Sequence, residues 1–94
     1  LLPVRALRRL VDVYTHGATK YEARNWEKGL SFSRLYAAAQ RHMNAFWSGE
    51  DFDVHSGCHH LASAAFCMLA IIEFQPDDTQ GIEKEERSKW DDRP

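Results

Sequence analysis

The 94-residue chain holds only two cysteines, Cys58 and Cys67, nine positions apart. They form no CxxC pair, which excludes a disulfide scaffold, and a cysteine-based zinc site needs more soft ligands at tighter spacing. Cys67 lies in an apolar run and Cys58 just before it, so both read as buried free thiols in a reducing compartment. No apolar run approaches the roughly 20 residues of a membrane helix, and no signal peptide is visible. The chain starts at Leu1 rather than Met, so residues preceding it are expected. Three prolines and five glycines are too few for a collagen-like or low-complexity chain. There is no P-loop, GxGxxG, GxSxG or HExxH motif, no internal repeat and no β-alternation. Net charge is nearly absent too, at −2, which argues against a duplex nucleic-acid binder.

What is present is the composition of one globular domain, 44% hydrophobic and 28% charged. A domain this short buries only about 60–65% of its unfolded surface. The small net charge hides an asymmetry. Residues 1–48 hold eight Lys/Arg against three Asp/Glu, and residues 49–94 hold four against eleven, giving +5 and −7. A basic and an acidic half suit either phosphates with a metal or complementary faces within or between subunits.

Helical spacing predicts an all-α fold, a small bundle of three main helices completed by oligomerisation. The first helix is expected over residues 3–16, opening at Pro3 and stopping at Gly17, with Val4, Leu7, Val11, Tyr14 and Ala18 as its apolar stripe. Arg5, Arg9, Asp12 and His16 then fall on its outer side. Residues 17–32, GATKYEARNWEKGLSF, have no clear period. Ser31 or Ser33 is expected to cap a second helix whose stripe is Leu35, Ala39, His42, Met43 and Phe46, with Gly49 ending it. After an acidic loop, Ser56 is expected to cap a third helix with Leu61, Ala64, Ala65, Met68, Leu69 and Ile72 along one side and Pro76 marking its end. Phe66, Ile71 and Phe74 make that helix apolar nearly all round, which predicts burial on several sides and a dimer or larger homo-oligomer. Residues 1–76 thus read as the helical domain and 77–94 as a polar tail or short helix.

Several residues have chemical potential. Glu50, Asp51 and Asp53 cluster in the loop, where a hard cation would relieve their repulsion or a helix N-terminus would accommodate them. His42 lies central to one stripe and His60 at the edge of another. Because a short loop joins their helices, the two are expected near the same end of the bundle, beside the acidic loop. His55 and His59 read as loop or surface residues, and His16 as a surface residue. Lys20, Arg24 and Lys28 recur every four residues and would neutralise a triphosphate if that piece is helical, with Arg41 as a further cation. Asn25 offers a donor and an acceptor to a base edge, and Tyr21 or Trp26 offers a stacking surface.

The strings HGATKYEARNWEKGLSFSRL, RH and GEDFDVHSGCHHLASAAF resemble the phage and prophage dATP/dGTP diphosphohydrolase N-terminal family, from about Leu1 to Phe74. The resemblance implies an α-helical protein that hydrolyses purine deoxynucleoside triphosphates to the monophosphate and pyrophosphate with Mg²⁺ or Mn²⁺. It also implies a small-molecule nucleotide as partner, no duplex nucleic acid, no membrane, and a phage-encoded protein in the bacterial cytoplasm. There is a looser analogy to MazG-type pyrophosphohydrolases, whose EExxE helix is missing. On this reading Glu50, Asp51 and Asp53 hold the metal, while His42, His60 and Glu27 serve catalysis. Lys20, Tyr21, Arg24, Asn25, Trp26, Lys28 and Arg41 bind substrate. A histidine of the family pattern is replaced by Ser63. That departure favours one alternative, a nucleotide-binding protein without turnover, and composition alone favours a second, a helical structural or interaction module.

Overall fold

The computed structural model describes residues 1–20 and 32–74, and the expectations placed on residues 21–31 and on the tail beyond 74, Pro76 included, lie outside them. Three helices occur in order: α1 (Val4–Lys20), α2 (Phe32–Trp47) and α3 (His60–Phe74). Among the described residues there is no strand, only one antiparallel bridge between Phe52 and His59. None of these helices is long and apolar enough to cross a membrane. The all-α expectation is met.

α3 is the central element and packs against both α1 and α2. Its buried residues are small: Ala62, Ser63, Ala64, Cys67 and Ala70, together with His60. Ala39 of α2 meets Ala64 and Cys67, flanked by Leu35, Ala38 and Phe66. The small side chain at Ala39 therefore allows close approach of α2 and α3. Val13 of α1 packs with Cys58 and Ala62, again beside Phe66. Tyr14 adds an edge-on contact to Phe66, with ring centroids 4.9 Å apart. Both cysteines are buried free thiols, and burial pushes the Cys67 thiol up from its ordinary pKa.

Helix ends differ from expectation in instructive ways. The Pro3 carbonyl accepts the Leu7 N–H and opens α1. The helix then runs through Gly17 to Lys20. A glycine inside a helix costs only about 1 kcal/mol relative to alanine, and stops it only when it also takes the left-handed turn. Gly49 does that. With φ at +112°, it donates to the Phe46 carbonyl while Glu50 donates to Ala45, both at 3.0 Å. This is a Schellman closure of α2, and it delivers Glu50 at a defined point. α2 begins at Phe32, so Ser33 falls inside its first turn and Ser31 lies outside the described residues.

Ser56 is not the cap of α3. Its hydroxyl accepts the Cys58 N–H within the loop, and the helix starts four residues later. The intervening chain is held by Asp53 and Cys58 pairing through their backbones at 2.8 Å and by Gly57 with φ at +74°. The cap is His59, whose Nδ1 accepts the Leu61 N–H at 3.1 Å.

Two stripes are rotated relative to the sequence expectation. On α1, Val4, Leu7, Val11 and Tyr14 are exposed and Val13 is the buried position. On α3, Leu61, Met68, Leu69 and Ile72 are exposed, whereas the small residues face inward. Hydrophobicity scales favour large side chains, but a helix wedged between two others is placed by how closely the backbones approach.

This packing predicts a sharp asymmetry between two nearby alanines of α2 that differ only in environment. Ala39→Leu, at a position 2% exposed, is expected to lower stability by about 1–3 kcal/mol through overpacking. Ala37→Leu, on the exposed side of the same helix, should change it by less than about 0.5 kcal/mol. Urea melts of the two variants check this.

Candidate functional site

The α2–α3 register that sets Ala39 against Ala64 also sets His42 against His60, one turn along each helix. Their Nδ1 atoms lie 2.9 Å apart. The far side of the His60 ring meets Glu50, with Nε2 to Oε1 at 2.6 Å. His60 is 6% exposed at its side chain and Glu50 48%. A carboxylate accepting the Nε2 proton fixes the tautomer of His60, leaving its Nδ1 lone pair aimed at His42.

Asp53 completes the group. Suitable ligand atoms of His42, Asp53 and His60 all lie within 4.8 Å of one another. The Asp53 side chain is positioned by an Asx turn, in which its Oδ1 accepts the His55 N–H at 2.8 Å. Its backbone is held from both directions, donating to Cys58 and accepting from Gly57 at 2.7 Å. The His55 hydrogen bond is the main reason the Asp53 carboxyl is held below its usual pKa; partial burial opposes it, and His60 and His42 add to the lowering. His42 is likewise held below the ordinary histidine value, chiefly by burial, then by His60; Asp53 opposes, and Arg41 adds a smaller lowering. Both shifts favour the forms that ligate a cation, an ionised carboxylate and a neutral imidazole.

His42 and Asp53 open into a cavity of about 200 Å³ whose walls include Val13, His16, Gly17, Ser56, Ser63 and Cys67. No buried polar side-chain atom among the described residues is left without a partner.

The structure separates the expected site residues into distinct situations. His42, His60 and Asp53 are brought together. Glu50 reaches the group through His60. The Asp51 side chain stays outside it; its backbone carbonyl accepts the His60 N–H at 2.9 Å and so helps start α3. Arg41 is exposed, adjacent to His42. Lys20 ends α1, with its side chain outside the described residues, as are Tyr21, Arg24, Asn25, Trp26, Glu27 and Lys28. His16, expected on the surface, is half-buried in the cavity wall. Its place directly before Gly17, in the HGATKY string, was the available signal. Ser63 lines the same cavity one turn after His60.

The donor set is two imidazole nitrogens and a carboxylate oxygen, with a further carboxylate behind one imidazole. That composition fits a divalent first-row transition ion, whereas Mg²⁺ favours oxygen ligands and water.

A curated relative from Salmonella phage PMBT28, named dATP/dGTP diphosphohydrolase, is 34% identical over 72 residues, which are 77% of this chain and 24% of the relative. The matched stretch is thus about a quarter of that relative's length. No solved structure matches. The family profile described as dATP/dGTP diphosphohydrolase, N-terminal, matches residues 1–86, and the chain belongs to that family.

Proposed function

We propose that the chain contributes the metal-holding site for hydrolysis of a purine deoxynucleoside triphosphate, dATP or dGTP, to its monophosphate and pyrophosphate. The observation that carries this reading is the convergence of His42, His60 and Asp53 within the stretch shared with a relative named for that reaction. In the reaction, a water oxygen bonds to the α-phosphorus and the bond to the bridging oxygen breaks. Pyrophosphate departs with the electron pair, and the water gives up a proton to a base.

His42, His60 and Asp53 would hold the divalent cation, and Glu50 keeps the His60 ring in its ligating tautomer. Such a cation supplies charge neutralisation at the phosphates and acidifies water. The donor set favours Mn²⁺ over Mg²⁺. A cavity of about 200 Å³ takes phosphates but not a whole nucleotide, since sites for molecules of that size run to about 300 Å³ or more. The sugar and base therefore extend beyond it, and the roles of Lys20, Tyr21, Arg24, Asn25, Trp26 and Lys28 in holding them, like that of Glu27 as base, rest on the resemblance. Arg41, exposed beside His42, is the described cation available to the phosphates.

A second reading, nucleotide binding without turnover, is favoured by Ser63, which lines the cavity at a position where the resemblance implies a histidine. Self-association is part of the proposal in either case. Leu7, Val11, Leu69 and Ile72 are exposed apolar residues on α1 and α3, which a second copy would cover.

With purified chain, dATP and dGTP are expected to yield dNMP and pyrophosphate with Mn²⁺ and none with EDTA. Asp53→Asn and His42→Ala should each lower the rate by at least about 100-fold. No product with Mn²⁺, Mg²⁺, Co²⁺ or Zn²⁺ would reject the hydrolase reading, and tight EDTA-insensitive nucleotide binding by calorimetry would then support the second.

Glu50→Gln is expected to weaken Mn²⁺ binding about 10–100-fold, read by electron paramagnetic resonance, with Glu50→Asp recovering part of the loss. An unchanged affinity would remove Glu50 from the site. Sedimentation equilibrium should report a dimer or larger species that Ile72→Glu shifts toward monomer.

A further inference from the structure

A second cavity, of about 490 Å³, lies against the first half of α1 and is lined by Arg5, Ala6, Arg8, Arg9, Asp12 and His59. It shares no lining residue with the cavity beside His42 and Asp53. The reason is the bridge between Phe52 and His59. Successive residues of an extended segment point to opposite sides. Phe52 and His59 therefore turn toward Arg9, while their chain neighbours Asp53 and His60 turn toward His42. One short backbone pairing forms the partition between two differently charged sites.

Three guanidinium groups and one carboxylate line this groove, a surplus of two positive charges when His59 is neutral. Arg5 stands three residues before Arg8 and four before Arg9, the spacings at which like charges on a helix face repel. Arg5, Arg8 and Arg9 are all exposed, and none of them has an ion-pair partner among the described residues. Arg9 nevertheless has a ring partner. Its Cζ sits 4.9 Å from the centroid of the Phe52 ring, which is braced edge-on by His59 at 5.3 Å, itself against Phe46 at 5.7 Å. Stacking uses the face of a guanidinium and leaves its in-plane N–H groups free for an anion. His59 accepts from Leu61 at Nδ1, so in its neutral form its proton is on Nε2, and it brings a neutral donor to the wall.

We infer that this groove is an oligophosphate-binding site, distinct from the metal-holding cavity, whose ligand is a free oligophosphate or the phosphate chain of a nucleotide. Guanidinium forks match phosphate oxygens bidentately, and the volume is that of a small-molecule site. Asp12 within the lining and the chain's net charge of −2 disfavour a long nucleic-acid backbone, which needs an uninterrupted basic track. The inference stands apart from the hydrolase reading, because it needs neither a metal nor turnover.

The test is calorimetric titration of the full chain with tripolyphosphate in EDTA, which silences the metal-holding site. One equivalent is expected to bind, more weakly as salt rises from roughly 50 to 200 mM. Arg5→Gln/Arg8→Gln should weaken binding about tenfold or more. Arg5→Lys/Arg8→Lys should recover part of it, which a loss of fold would not. His42→Ala and Lys20→Gln/Arg24→Gln should leave it within about twofold. Affinity for dATP equal to that for tripolyphosphate would identify the free phosphate chain as what is read, and tighter dATP binding would identify a nucleotide. The inference is overturned if tripolyphosphate does not bind, if the glutamine pair binds it unchanged, if His42→Ala or Lys20→Gln/Arg24→Gln abolishes binding, or if a 12-nucleotide single strand binds more tightly than either small ligand.

Discussion

The close approach of α2 and α3 through small side chains is the constraint on which the other features depend. Ala39 against Ala64 and Cys67 leaves no room for a spacer between the backbones. Once those positions are in register, His42 and His60 must face each other one turn away, at 2.9 Å. Two imidazoles at that distance are costly unless their protons are arranged. Glu50 arranges them by accepting from the far nitrogen of His60, and the Schellman turn at Gly49 puts Glu50 where it can do so. Packing, helix termination and imidazole tautomer are thus consequences of one interhelical contact.

The loop between the helices adds a second layer of control. A segment of twelve residues without regular structure would ordinarily be a poor support for a site. Here the Asp53–Cys58 backbone pair, the Asx turn to His55, the Ser56–Cys58 bond and the His59 cap leave little freedom. Three of those interactions touch Asp53 or its immediate partners. The carboxylate is therefore presented by a braced turn, and its lowered pKa is the electrostatic expression of the same bracing.

Much of this was legible from the chain, and the parts that were not have specific causes. Helix number came from apolar spacing. The meeting of His42 and His60 came from their positions relative to a short connection. Glycine at 49 was readable as a terminator, but glycine at 17 was not distinguishable from it, because the difference is a backbone angle set by tertiary context. The phase of α3 was misread because its contacts select small residues, so the large side chains that dominate periodicity are the exposed ones. His16 was read as a surface residue for a related reason: it lies on the polar side of an apolar stripe, and that stripe turned out not to be the buried one. The three acids of the loop look equivalent in sequence. Folding gives Asp53 to the histidine group, Glu50 to the back of His60, and uses only the backbone of Asp51.

The arginines of α1 and the histidine–carboxylate group lie on either side of the Phe52–His59 bridge. A cation held by His42, Asp53 and His60 and the arginines of α1 would repel one another if they shared one cavity. In a medium of low effective dielectric that repulsion would weaken the cation site and lower histidine pKa values further. The bridge keeps them on opposite sides of a wall made partly of aromatic rings. Phe52 serves both sides of this arrangement: its ring holds Arg9 away, and its backbone keeps Asp53 in place. A single β-bridge, flanked by residues of alternating direction, thus keeps the arginines of α1 and the histidine–carboxylate group apart in so small a domain.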